Sequence, residues 1–153
     1  MITVPNVVAA NCRILVEAVG NIFYNVNLIP FTIGIENTCV TFTQSTSLSI
    51  PDGTGSNQPG ATAISELNVT DDLLISDIQV SMSITHSWIG DLVLVLEHPD
   101  GTQVPLWNRN CNNPQRSGIL ATFRDNSGPI VCASPTMGTF SPNQPLSILL
   151  NKS

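Results

Sequence analysis

One short stretch of the chain carries a histidine, a serine and an aspartate close together, at His86, Ser87 and Asp91. A nucleophilic hydrolase needs a nucleophile, a base that accepts its proton and a group that orients the base. Three residues so close on one turn do not easily adopt that geometry, and the sequence has no Gly-x-Ser-x-Gly motif. We therefore interpret His86 as a turn residue that bonds to the backbone, and we predict no catalytic residue.

Metal binding is the second chemistry that the side chains suggest. His86 and His98 are the two histidines, and His-Glu-x-x-His and Cys-x-x-Cys are both absent, so zinc lacks ligands. Calcium takes carboxylate and carbonyl oxygens from several loops. Asp91 at a strand start, Asp125 at a strand end and Asp100 in a turn are therefore candidate Ca²⁺ ligands, Asp91 and Asp125 being the best. In the alternative interpretation, Asp91 and Asp125 cap turns by accepting hydrogen bonds from backbone amides.

The elements that would position these residues are β-strands. Apolar and polar residues alternate from Ile78 to Ile84, which predicts a strand with one buried face. The apolar run within Asp91–Glu97 predicts a more buried strand, and Pro99–Gly101 predicts a tight turn after it. Three β elements joined by short turns predict a meander. Further strands are predicted at Ile64–Val69 and Ile119–Arg124, so the predicted fold class is all-β.

The composition limits the class of protein. A length of 153 residues allows one domain, or one domain with an appendage. Eleven acidic against five basic residues give a net charge of −6, which argues against nucleic acid and anionic membranes as partners. No apolar run reaches the roughly 18 residues that a membrane helix requires.

The four cysteines are best explained as disulfide bridges. Cys12 and Cys39 lie in the first segment of the chain, whereas Cys111 and Cys132 flank the predicted strand Ile119–Arg124. Four cysteines allow three pairings, and the pairs Cys12–Cys39 and Cys111–Cys132 keep each bridge within its own segment. Each such bridge would stabilise the fold by about 3 kcal/mol in the chain-entropy model. The alternatives are free buried thiols, or partner cysteines in another part of a longer parent protein.

A set of short motifs occurs in a characteristic order: Ser-Ile-Pro-Asp52, Ile75-Ser-Asp-Ile78, Ile84-Thr-His86, Gly90-Asp-Leu92, Leu96, Pro99, Gly101-Thr102, Leu106, Phe123-x-Asp125, and Gly138-Thr-Phe-x-Pro142 followed by Pro145-Leu-Ser147. This set resembles the P domain, or homo B domain, which follows the catalytic domain of furin- and kexin-like proprotein convertases and occurs in many secreted bacterial proteases. The resemblance covers about residues 47–150. It implies a jelly-roll β-sandwich of about eight strands.

The first segment carries a second, shorter resemblance. Its motifs are Ile2-Thr-Val-Pro-Asn6, Arg13-Ile-Leu-Val16, Gly20-Asn-Ile-Phe-Tyr24, and Asn27 followed by Phe31-Thr-Ile33. Residues 1–34 thus resemble the end of a β-sandwich module that lies between the zinc catalytic domain and a P domain in reprolysin-like secreted metalloproteases. The resulting domain plan is a remnant of a preceding β module plus linker at 1–43, and a P domain at 44–153.

The family pattern continues beyond the Pro-Leu-Ser segment with strands that contain an Asn-Gly-x-Trp motif and a further tryptophan. Trp88 and Trp107 both lie upstream of that segment. We therefore expect the P domain to be C-terminally incomplete and to expose sheet edges.

Two function hypotheses follow from the resemblance. In the first, the chain is a non-catalytic accessory domain that stabilises or positions the catalytic domain of a secreted endopeptidase, serine-type or zinc-dependent, in cis. It would not be an enzyme on its own, and it would be secreted or on the cell surface as part of a longer precursor. In the alternative, it is an extracellular carbohydrate- or surface-binding jelly-roll module. A free-standing hydrolase is disfavoured because the catalytic set is missing.

Overall fold

A computed structural model describes residues 9–17, 19–20, 24–33, 39–55, 58–71 and 74–153. The chain divides into two compact units, Met1–Val69 and Thr70–Ser153, and each is described by itself. The predicted domain boundary between residues 43 and 44 stays a prediction. The motif at residues 2–6 lies outside the described residues.

The first unit contains two pairs of short antiparallel strands. Strand β1 (Ala9–Cys12) pairs with β4 (Phe31–Ile33), and β2 (Leu15–Glu17) pairs with β3 (Tyr24–Val26). Strands were expected in this part of the chain, and they are present. Their assignment to the end of a metalloprotease module stays a prediction.

Residues 39–55 and 58–71 contain no strand, apart from one isolated bridge between Gly55 and Gln58. The predicted strand at Ile64–Val69 is therefore wrong. Ile64, Leu67 and Val69 are all exposed, so this apolar segment has no buried face to hold it against a neighbouring strand. Local β-propensity without packing is a weak determinant of strand formation.

The second unit contains five strands and two short 3₁₀ helices. The strands are β5 (Val80–Ile84), β6 (Val93–Glu97), β7 (Gln103–Asn108), β8 (Ile119–Gly128) and β9 (Thr136–Phe140). The first 3₁₀ helix is Ile89–Asp91 and the second is Leu146–Leu149. The all-β prediction is confirmed; the jelly-roll connectivity stays a prediction. No helix among the described residues has the length and hydropathy to cross a bilayer.

The strand pairing differs from the predicted meander. Strands β6 and β7 form an antiparallel hairpin around the predicted turn, but β5 pairs with β8 and not with β6. Strand β8 also pairs in parallel with β9, giving a sheet with the order β5-β8-β9. The prediction of three consecutively paired strands is wrong, because the connection that contains the first 3₁₀ helix carries the chain from one sheet to the other.

Both sheets contribute to one hydrophobic core. The hairpin supplies Val104, Leu106 and Trp107, and the three-stranded sheet supplies residues such as Ile119 and Phe123. The alternating residues Val80, Met82 and Ile84 of β5 lie opposite Phe123, Ala121 and Ile119 of β8 and pack against this core. The predicted inward face of this strand is therefore confirmed.

Strand β6 is less buried than predicted. Leu94 and Leu96 pack against the core, whereas Val93 and Val95 point away and are 53% and 45% exposed. An uninterrupted apolar run does not reveal that only one face of the hairpin is covered, since successive side chains of a strand face opposite sides.

Candidate functional site

The connection between β5 and β6, residues 85–92, is fixed by both tryptophans. Trp107 of β7 is fully buried, and its Nε1 donates a hydrogen bond to the carbonyl of Ile89 at 3.0 Å. Trp88 lies at the surface, and its Nε1 donates to the carbonyl of Asn112 at 3.2 Å. Because the indole N–H group of Trp88 is bonded to the protein, its ring is held in one orientation.

The loop between β7 and β8, residues 109–118, packs directly on this connection. The amide of Ile89 donates to the carbonyl of Arg116 at 2.9 Å, and Nε2 of Gln115 donates to the carbonyl of Ser87 at 3.0 Å. Gly90 is buried, and a Cβ atom there would lie 2.5 Å from Cα of Asn112. Only glycine permits so close an approach of the two backbones.

His86 is a turn residue. Its Nδ1 atom accepts a hydrogen bond from the amide of Trp88 at 3.1 Å and lies 2.9 Å from the carbonyl of that residue. Both contacts are with the backbone, as the interpretation from sequence expected. They fix the ring at the start of the connection.

A disulfide joins Cys111 to Cys132, with a Cα–Cα distance of 5.4 Å. It ties the loop 109–118 to the β8–β9 connection. The predicted Cys111–Cys132 bridge is therefore present. It limits how far the loop can move from the connection on which it packs.

The predicted Cys12–Cys39 bridge is not formed. Both residues are free thiols in the structure. Cys39 is exposed, whereas Cys12 is half-buried and its thiol lies 3.3 Å from the carbonyl of Ala9 within strand β1. Placing both cysteines in one segment was the only basis for the pairing, and a shared segment does not bring two Cα atoms within bridging distance.

Asp125 holds the second 3₁₀ helix, Leu146–Leu149, with both of its carboxylate oxygens. Oδ1 accepts from the amide of Leu146 and Oδ2 from the amide of Ser147, each at 2.8 Å. These are the first two residues of the second 3₁₀ helix. The half-buried carboxylate therefore acts as a backbone cap, as in the alternative interpretation.

Asp100 organises the turn between β6 and β7. Its Oδ1 accepts from the amide of Thr102 at 2.8 Å, and its Oδ2 pairs with the ammonium of Lys152. The Lys152 ammonium, followed by the hydrogen bonds from Thr102, holds the pKa of Asp100 well below its usual range. Gly101 takes a φ of +87°, and the predicted turn is confirmed.

The three candidate calcium ligands are not brought together. Asp91 lies exposed in the first 3₁₀ helix, and within the described ranges no three carboxylate, histidine or cysteine side chains are grouped as a metal site requires. Calcium binding by one of these aspartates with backbone carbonyls stays a prediction. A shift of the unfolding midpoint in millimolar Ca²⁺ tests it.

A cavity of about 300 Å³ lies beside the Asp125 cap, lined by Asp125, Asn126, Ser141, Pro142, Pro145 and Ser147. The carboxylate of Asp125 and the hydroxyl of Ser141, which donates to the carbonyl of Ser127 at 2.8 Å, already have partners. Two of the polar side chains that line the cavity are therefore already engaged within the protein.

Comparison with known proteins gives a match to the segment that contains these contacts. Residues 75–126 match the family model of the proprotein convertase P-domain. The P-domain prediction is confirmed for this segment. The match begins before β5 and ends within β8, about a third of the chain. No curated protein and no solved structure matches the chain closely enough to count as similar.

The P-domain segment contains residues whose arrangement was not predicted. The loop 109–118 carries Arg116, whose Nε atom is buried and has no hydrogen-bond partner among the described residues. A signal was available in the sequence: residues 101–124, between Asp100 and Asp125, contain three arginines and no acidic residue, in a chain of net charge −6. This segment, which includes the loop 109–118, is therefore positively charged within a negatively charged chain.

Proposed function

We propose that this chain supplies the P domain of a secreted endopeptidase and acts in cis on the catalytic domain, which it stabilises or positions. The P domain is the accessory, non-catalytic domain of proprotein convertases. The match over residues 75–126 carries the proposal. The geometry is in keeping with it, since the side chains that suggested chemistry, His86, Asp100 and Asp125, form bonds that hold the fold.

The disulfide supports secretion as part of the same proposal. Bridges such as Cys111–Cys132 persist in oxidising compartments and are rare in reducing ones. P domains themselves occur in secreted convertases. The catalytic domain would be serine-type or, if the first unit is the end of a metalloprotease module, zinc-dependent.

A carbohydrate-binding module is less favoured. Sugar sites commonly present several aromatic faces for stacking. Among the described residues, Phe31 and Trp88 are the exposed large aromatics, and they lie in different units. They do not form one aromatic surface within a unit.

The proposal is tested on the coding sequence that surrounds this chain and on the protein it encodes. An upstream His-Glu-x-x-His motif indicates a zinc parent, and an upstream Asp/His/Ser set indicates a subtilase parent. In that parent we expect Trp107→Ala, which empties the core of the P domain, to reduce secreted peptidase activity at least about tenfold through instability.

Arg124→Gln is the matched control, because Arg124 is exposed and its ion pair among the described residues is with exposed Asp77 at 3.3 Å. We expect it to leave secreted activity unchanged. If neither catalytic set lies upstream, or if Trp107→Ala leaves the amount and the thermal half-life of the secreted peptidase unchanged, the accessory function is refuted.

A further inference from the structure

We propose that Trp88 and Arg116 form a binding site for acidic peptide segments on the surface of the second unit. The site lies where the β5–β6 connection meets the loop 109–118. It goes beyond the accessory function, because it concerns a ligand of this chain alone and does not depend on a catalytic domain.

Hydrogen bonds to the backbone hold together the two segments that carry these residues. The amide between Trp88 and Ile89 donates to the carbonyl of Arg116 at 2.9 Å. Gln115 bonds to Ser87, and the Trp88 ring is anchored on Asn112. The Cys111–Cys132 bridge lies in the same loop. A ligand would therefore meet a preformed surface, which lowers the entropic cost of binding.

Within the part of the chain that the structure describes, the guanidinium of Arg116 has no anionic partner. The described ion pairs engage Arg124 with Asp77 and Lys152 with Asp100, but not Arg116. Its Nη1 atom reaches only the carbonyl of neighbouring Gln115, at 3.4 Å, and its buried Nε has no partner among the described residues. The buried Nε is enclosed by the protein, so a bound carboxylate would accept from the two Nη groups, which can donate two parallel hydrogen bonds.

The surroundings favour an anion over a cation. The two segments at the site, residues 85–92 and 109–118, carry two arginines, Arg109 and Arg116, against one acidic residue, Asp91. Trp88 is 38% exposed and offers an apolar surface on the segment that packs against the loop of Arg116. The expected ligand is therefore a carboxylate next to an apolar group, as in a peptide in which glutamate or aspartate alternates with leucine.

An acidic sugar fits less well. A sugar needs several free donors and acceptors for its hydroxyl groups, whereas the side-chain amide of Gln115 and the carbonyl of Asn112 are already bonded within the protein. The groups that we assign to the ligand are the ring of Trp88 and the guanidinium of Arg116. This combination suits a single carboxylate beside an apolar side chain.

The test is fluorescence anisotropy of the full chain with a fluorescein-labelled Gly-Leu-Glu-Leu-Glu-Gly peptide. We expect binding that weakens about tenfold or more when both glutamates are replaced by glutamine, and when the protein carries Arg116→Gln. We expect a smaller loss, about threefold, for Arg116→Lys, which keeps the charge but not the fork. Arg124→Gln is the matched control and should bind as the wild type does.

A urea titration of the same variants separates binding from folding. Since Arg116 contributes an unpartnered buried donor, Arg116→Gln should leave the unfolding midpoint unchanged or raise it. A lower midpoint would instead assign Arg116 a structural role and overturn the proposal.

Three further results would also overturn it. One is equal binding of the glutamate and glutamine peptides, or no binding of either at millimolar concentration. Another is a loss for Arg124→Gln as large as for Arg116→Gln. The third is tighter binding of tetragalacturonate than of the glutamate peptide, which would make the site one for acidic sugars.

Discussion

Gly90, which has only a hydrogen atom as its side chain, allows two loops of the P-domain segment to approach closely. The Cβ atom of any other residue would meet the backbone of Asn112 at 2.5 Å, a distance that no small adjustment relieves. Backbone cannot move aside as the end of a flexible side chain can. The contact therefore requires glycine for reasons of space, and Gly90 has no positive φ that would add a second reason.

We expect Gly90→Ala to destabilise the chain by about 1–3 kcal/mol, the usual cost of forcing extra volume into a packed site. Urea denaturation measures the change. Gly128→Ala is the matched control, because a Cβ there meets nothing within 4 Å, and it should leave the midpoint unchanged. Equal midpoints for the two variants would contradict the close approach of the loops.

The ion pair of Asp100 with Lys152 makes stability depend on acidity. Because the pKa of Asp100 is lowered in the folded state, the unfolded chain binds more protons below the ordinary aspartate pKa of about 3.9. Its contribution to stability is therefore fully present above that value and is lost as the pH falls below it.

We expect the urea midpoint of the wild type to fall more between pH 6 and pH 3 than that of Asp100→Asn, which cannot titrate. The measurement is a pair of denaturation curves for each protein. Asp52→Asn is the control, since Asp52 is an exposed residue of the first unit. Identical pH dependence in the wild type and Asp100→Asn would refute a role for this carboxylate.

At the scale of elements, the disulfide stabilises the second unit in addition to the pairing of its strands. The bridge Cys111–Cys132 closes a segment with a sequence separation of 21 and ties two loops at the same end of β8. In the chain-entropy model such a bridge stabilises the fold by about 3 kcal/mol.

Replacing both Cys111 and Cys132 by serine should lower the free energy of unfolding by about 3 kcal/mol, chiefly because the unfolded chain regains conformational freedom. Chemical denaturation under non-reducing conditions measures it. Cys39→Ser is the control, since that free thiol is exposed. If reduction of the wild type with dithiothreitol leaves its stability equal to that of the oxidised protein, the bridge does not stabilise the fold.

Local patterns predicted the parts of this unit that depend on neighbouring residues. The alternation in Val80–Ile84 and the Asp100-Gly101 turn were predictable because they follow from side-chain period and turn chemistry. The pairing of β5 with β8 was not, since it joins residues about 40 positions apart and depends on the core that Trp107 fills. The Arg116 surface also escaped prediction: the lack of acidic residues in 101–124 indicates a basic segment, but not the contact that brings the loop of Arg116 to the β5–β6 connection.

At the scale of the whole molecule, burial is distributed unequally between the two units. Among the described residues, every buried apolar side chain lies between Ile89 and Leu149, in the second unit. The residues of 39–55 and 58–71 are largely exposed and lie outside regular strands. Local stability should follow this distribution, since buried contacts and sheet hydrogen bonds resist local opening.

Hydrogen–deuterium exchange of the full chain should show this difference directly. We expect the slowest exchange in the amides of Ile119–Phe123, which lie in the central strand of the three-stranded sheet. Residues 58–71 should exchange within seconds, as exposed amides without sheet partners do. Comparable protection in the two segments would contradict the described architecture.

The covalent loop also has a mechanical consequence. Strand β8, Ile119–Gly128, lies wholly between Cys111 and Cys132, so a force applied at the two ends of the chain passes through the sulfur atoms and bypasses this strand. Full extension of the oxidised protein in an optical trap should fall short of the reduced protein by about 70 Å, the contour length of the bypassed residues. After tension has pulled β5 and β9 away, the disulfide loop that contains β8 would therefore stay unextended.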